Sequence, residues 1–291
     1  MLNRPSLDAM SYAPHIVRRD LHFGMQEDIP RYWLDGDAHQ TRYFDALSLM
    51  FPDGERFFID SVRAFRPEIA DDTALDAAVG GFIGQEAMHS REHLAYNERL
   101  EQQGVGAYAL MQIVKDVQDM RARTLPPIGQ LALTICLEHF TAMLADHLLR
   151  HPGVMRKADP RMAAIWRWHA LEETEHKAVA FDVYQRVGGT PFVRWRRRCR
   201  AMFWITMLFT YRSWQFMWRL SKADGTQKDW RGWLRLLGFL FVSPAPITRI
   251  SGQWLKWFIP GFHPWQHDNH DLIEATSRDY NVTSNAQVSK G

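Results

Sequence analysis

Glu86-Ala-Met-His89 and Glu173-Thr-Glu-His176 each set a carboxylate and an imidazole three residues apart, which on a helix is a single face. Each pair can offer two ligand types to one point, so two such helices supply four ligands. A pair of cations bridged by carboxylates needs one further Glu from each of two other helices, because the carboxylates offset the charge. Glu55, in Phe51-Pro-Asp-Gly-Glu-Arg-Phe-Phe58, precedes the first pair, and Glu138, in Ile135-Cys-Leu-Glu-His-Phe140, lies between the two. Glu138 is the more telling, since a carboxylate within an apolar run would be costly in a core without a partner, and metal coordination holds it ionised. His169 stands four residues before Glu173 and shares its face. Glu172 and Glu175 flank Glu173, but only Glu173 makes both the i,i+3 pair with His176 and the i,i+4 pair with His169. His139 points away from Glu138 and is assigned no role.

These residues need long helices, and the chain predicts them. From about Asp37 to Gly188 it reads as helix of mixed polarity, with breakers at Pro67, Gly104, Pro126-Pro127, Pro152 and Pro160 and no sustained alternation of the strand kind. The first element, 38–66, is interrupted by Pro52 and Gly54. A second follows over 73–102 behind the caps Asp71-Asp72, then 108–123, 128–151 after two prolines, and 160–187. The intervals between the four glutamates each permit a return through a bundle, and the longest, from Glu86 to Glu138, holds the extra short helix. The expected fold is all-α.

The order Glu, Glu-x-x-His, Glu, Glu-x-x-His resembles that of ferritin-like di-iron proteins over roughly 51–187, about half of the chain. That resemblance implies a ferritin-like helical bundle with a dinuclear metal site and Glu55, Glu86, His89, Glu138, Glu173 and His176 as its six ligands. The pattern His169-x-x-x-Glu173-x-x-His176 is similar to the ligand helix of aryl-amine N-oxygenases, which implies His169 as a seventh. The whole chain also resembles a bacterial family described as predicted metal-dependent hydrolases, helical proteins with this Glu/His pattern and an aromatic C-terminal extension.

Two chemistries follow. In the first, a dinuclear metal oxidase or oxygenase acts on a small, hydrophobic organic substrate. Its cofactor is two transition-metal ions, with iron preferred and manganese or a mixed iron/manganese pair also compatible with oxygen and nitrogen ligands. Electrons then come from an external donor, a reductase or ferredoxin, because no flavin or nicotinamide glycine fingerprint is present. In the second, a bimetal Lewis-acid site hydrolyses its substrate, and Glu172 or Glu175 shuttles a proton. His93, one turn after His89, either supports a ligand by hydrogen bonding or adds to the ligand set. Glu172, Glu175 and His93 are therefore the candidate catalytic groups. A non-catalytic metal-binding role is a further alternative.

Composition bounds the rest. The 291 residues are 46% hydrophobic and 23% charged, with 35 Lys and Arg against 33 Asp and Glu, a balance that excludes disordered, collagenous and nucleic-acid-binding classes and names no partner. Cys136 and Cys199 fall in different predicted helices, as free thiols of a reducing, cytoplasmic compartment would. The N-terminus, with Arg4, Pro5, Asp8 and Pro14, lacks the apolar run of a signal peptide. Nine of the 12 Trp lie from Trp195 onward. There, five Arg between Arg194 and Arg200 precede an uncharged stretch, 201–211, too short to span a bilayer. This annex suits internal packing, a homodimer interface or peripheral attachment to an anionic membrane. The expected organisation is an N-terminal extension over 1–36, the bundle over 37–189, the aromatic helices over 190–260 and a loose polar tail over 261–291. His263, His267 and His270 are expected to serve at the surface or in docking the tail.

Overall fold

The computed structural model describes residues 16–244 and 246–288; the expectations for residues 1–15 lie outside them. The described chain is all-α, as expected: no strand occurs among these residues, only an isolated bridge between Leu34 and Ala158. The helices are α1 (Ala38–Ser48), α2 (Phe51–Arg63), α3 (Thr73–Gln102), α4 (Ala107–Thr124), α5 (Pro127–Arg150), α6 (Pro160–His176), α7 (Val179–Val187), α8 (Pro191–Ala223), α9 (Trp230–Phe241), α10 (Pro246–Lys256) and α11 (His270–Val288).

Local chemistry sets their ends. The Asp72 carboxylate accepts from the Leu75 amide at the start of α3, and Gly104, at φ 75°, turns the chain after its end. Asp159 likewise caps α6, and α5 begins with proline at its first position, where no amide is needed. The helix expected over 160–187 divides into α6 and α7 at a turn directly after His176. The break coincides with Lys177, whose buried ammonium donates to the His267 carbonyl and Asn269 Oδ1 and sits 3.9 Å from the Trp265 ring.

The bundle proper pairs α2 with α3 and α5 with α6, closed by contacts of α2 with α5 and α3 with α6. By length and composition α5 is the one helix among the described residues apolar enough to cross a membrane, yet 61% of its apolar window is buried within the protein. The stretch 201–211 lies inside the 33-residue α8, which packs along α1 and α5, while α9 and α10 close over α1 and α5. At the far end of α8, Asp224 binds Arg31 and the fully buried Arg42 of α1.

Within the expected tail the described residues include a helix. Residues 270–288 form α11, which packs on α6 through buried Ile273, Thr276 and Tyr280, one stripe of an amphipathic helix, and the Tyr280 hydroxyl donates to the Ala164 carbonyl. Its approach is tied by His263 to Asp182 at 2.8 Å and by His267 to Asp146 at 3.1 Å.

Contact between α9 and α1 depends on Gly232. A Cβ there would stand 2.3 Å from His39 Nδ1 and 2.6 Å from the capping Asp229 Oδ2. Gly232→Ala should therefore cost about 1–3 kcal/mol through displaced side chains. A lowered thermal midpoint, with a shift in tryptophan emission as Trp233 leaves His39, would check it.

Candidate metal centre

Seven side chains from four helices converge in the middle of the bundle: Glu55 from α2, Glu86 and His89 from α3, Glu138 from α5, and His169, Glu173 and His176 from α6. All are at most 3% exposed. His176 Nε2 lies 3.1 Å from Glu86, 3.5 Å from Glu138 and 3.5 Å from Glu173. His89 and His169 stack with ring centroids 4.1 Å apart, and both face Glu173 Oε1, at 3.7 and 2.9 Å.

Three subsets bring one donor atom each within 4.8 Å of one another and could hold a metal ion: Glu55, His89 and His169; Glu86, His89 and Glu173; and Glu86, Glu138 and His176. Glu86 and His89 each belong to two subsets. The donors thus form two poles, His176 with Glu138 at one and the stacked imidazoles with Glu55 at the other.

Electrostatics show why such a set fits cations. Burial, with the charges of neighbouring carboxylates, raises Glu55, Glu86 and Glu138 well above the usual carboxyl range. Burial also lowers His89 well below the ordinary imidazole value. Against the same burial, hydrogen bonds and charge from His169 and His176 hold Glu173 well below its ordinary value, and His176 is pushed up to about 9 by Glu173, Glu138 and Glu172. Both oxygens of Glu86 and of Glu138, one each of Glu55 and Glu173, both nitrogens of His89 and His176 Nε2 are buried without an aligned hydrogen-bond partner. Buried polar atoms without a partner are costly, and cations would satisfy them. Its oxygen and nitrogen donors suit metal ions that take carboxylate and imidazole ligands, and no thiolate takes part.

Around these donors lies a layer of supporting groups, much of it silent in the sequence. Ser48 Oγ donates to Asn97 Oδ1, so it accepts from His93 Nδ1; His93 Nε2 then accepts from His169 Nδ1 at 2.8 Å, leaving His169 Nε2 facing Glu173. His93 thereby lies against His169, outside the three subsets. On the other pole the Gln85 amide donates to Glu175 and to the Val17 carbonyl, which turns its oxygen to accept from His176 Nδ1 at 2.9 Å. Arg19 grips both oxygens of Glu175, at 2.7 and 2.8 Å, and reaches Glu172 at 3.2 Å. Glu172 also accepts from Trp168 Nε1, and its other oxygen stands 3.2 Å from His89 Nε2. Burial raises Glu172 to about 7 despite Arg19.

A narrow cavity of about 70 Å³ opens beside His169 and Glu173, walled by Phe44, Phe51, Trp166 and Phe209. Through Tyr43, Leu144 and Phe209 it adjoins a second, of about 300 Å³, between α8, α9 and α10.

Arg19→Met would strand Glu172 and Glu175 in the interior, at a cost of about 3–5 kcal/mol, read as a fall in the denaturant midpoint; Arg19→Lys should recover part of it. Metal binding should release protons, because burial and neighbouring carboxylates push Glu55, Glu86 and Glu138 well above the usual carboxyl range and their acidic partners push His176 up to about 9, whereas a metal takes each of them deprotonated. Affinity should then climb with pH towards about 9, where His176 deprotonates unaided. Chelator competition across pH, with calorimetry in buffers of different ionisation enthalpy, measures both effects.

No match was found among curated proteins or among solved structures. A family model described as "Predicted metal-dependent hydrolase" matches residues 17–268, from the segment that carries Arg19 through both Glu-x-x-His helices and the aromatic annex. The chain belongs to that family.

Proposed function

We propose that the bundle holds two transition-metal ions, iron or manganese, and hydrolyses a small apolar organic substrate lying in the cavity beside His169 and Glu173. The observation that carries this reading is the convergence of four carboxylates and three imidazoles, most of their donor atoms unpartnered, at the inner end of an apolar cavity. Family membership supports hydrolysis as the reaction.

Glu55, Glu86, His89, Glu138, His169, Glu173 and His176 hold the ions, which when bound supply Lewis acidity. Phe51, Trp166 and Phe209 hold the hydrocarbon part of the substrate and keep bulk water out. Glu172 is the proton carrier, since Oε2 is free of hydrogen bonds and faces the His89 edge of the cluster, while Trp168 and Arg19 fix its other oxygen. Glu175 is committed to Arg19 and Gln85 and acts through the orientation of His176. His93 similarly sets the direction of His169.

Oxidation of the same substrate is the second reading. One observation favours it: the carboxylates and imidazoles come from four bundle helices in the arrangement of ferritin-like carboxylate centres, and the adjoining cavity is apolar. It would require an external electron donor.

Metal analysis followed by anaerobic assay against apolar esters and amides separates the two. Metal-dependent cleavage without O2, reduced about 10²–10⁴-fold by Glu172→Gln with metal content unchanged, is the expected result. Substrate-dependent O2 consumption with no anaerobic cleavage would select oxidation. Less than one tightly bound transition metal per chain would defeat both.

A further inference from the structure

The near balance of charge over the whole chain conceals a strong asymmetry. Residues 190–260 hold thirteen Lys and Arg against two acids, leaving 22 bases and 31 acids for the remainder. Of the two acids, Asp224 is buried between Arg31 and Arg42, and Asp229 caps α9 and faces Arg235. The arginines of 194–200 are not equivalent. Arg198 is buried and donates to the carbonyls of Trp257 and Ile259, while Arg194 and Arg197 donate to those of Gly189 and Gly188. Arg196 and Arg200 point to solvent.

On the same helix an apolar stripe continues outward from them. Phe203, Trp204, Met207, Tyr211 and Trp218 follow at helical spacing and are 50–66% exposed. Helix α9 repeats the pattern: Leu236, Phe239 and Leu240 enter the core, while Trp230, Leu234, Leu237 and Phe241 form an outward stripe. The two stripes meet at an open groove of about 570 Å³ lined by Tyr211, Trp214, Trp218, Trp230 and Trp233. A contiguous exposed apolar surface of this kind marks an interaction site.

Charge decides its occupant. Two copies of this chain meeting through the face would bring like charges together, with no free acid to offset them. Anionic headgroups complement the cations, and Trp and Tyr are the side chains that favour the boundary between headgroups and acyl chains.

We propose that the α8–α9 face rests in the surface of an anionic lipid bilayer, with the aromatic stripe among the headgroups and Arg196 and Arg200 paired with lipid phosphates. The helices lie along the membrane and do not span it. The docking stands independently of the chemistry at the metal centre, and it places the larger apolar cavity, whose wall includes Phe241 and Thr210, against the lipid phase.

The test uses the full chain, metal-free and metal-loaded. Co-sedimentation with phosphatidylglycerol/phosphatidylcholine vesicles should exceed that with pure phosphatidylcholine and fall with salt, and brominated acyl chains should quench the tryptophan emission. Arg196→Gln with Arg200→Gln should weaken binding to the anionic vesicles roughly 30-fold, about fivefold per cation. Replacement of the exposed Phe203, Trp204 and Met207 by Ser should abolish quenching while the helical circular dichroism persists. Equal binding to the two vesicle types, or none to either, overturns the proposal. So does a stable dimer that the Ser variant dissociates and that never binds vesicles. Because no outcome requires turnover, failure here is distinct from failure of the catalytic reading.

Discussion

Four carboxylates share one buried space at the centre of the bundle, and their mutual repulsion is the constraint that the surrounding structure answers. Without cations, burial and crowding push Glu55, Glu86 and Glu138 well above the usual carboxyl range, while Glu173, between two imidazoles, is held well below it. Two more acids, Glu172 and Glu175, stand immediately outside and are offset by one arginine. The helix that bears three of these six acids depends on its neighbours: α6 needs α3, α5 and the chain before α1 before its inner face is tolerable. Helix propensity cannot supply that, and tertiary contact must.

The supporting hydrogen bonds convert this electrostatic demand into direction. Each of two imidazoles has one nitrogen engaged by a neighbour, His169 by His93 and His176 by Gln85, so the other nitrogen faces the centre. Both relays end on fixed groups, Ser48 and Asn97 on one side and Glu175 with Arg19 on the other.

Periodicity made the inner residues legible, because Glu86 with His89, and His169 with Glu173 and His176, obey the local spacing of a helix. Glu138 stood out by charge in an apolar run. Arg19 and Gln85 were not legible: Arg19 lies in a segment without periodic structure and meets its partners 153 and 156 residues later, and Gln85 carries no motif beyond adjacency to Glu86. The division of α6 from α7 escaped for a similar reason, since Lys177 is drawn to a carbonyl 90 residues away. Helix α11 was obscured by its polar composition, in which only a thin stripe of Ile273, Thr276 and Tyr280 is buried. The charge of the annex was readable from the start, and only the whole-chain sum hid it.

The reach of Arg19 also bears on how the chain matures. During synthesis the guanidinium emerges early, and the acids it must neutralise leave the ribosome more than 150 residues afterwards, so no amino-terminal portion can bury a finished centre. The Lys177 tether extends the requirement to residues 267–269. Assembly of the middle thus waits on both ends of the described chain, because the groups that neutralise and tether α6 lie before α1 and after α10.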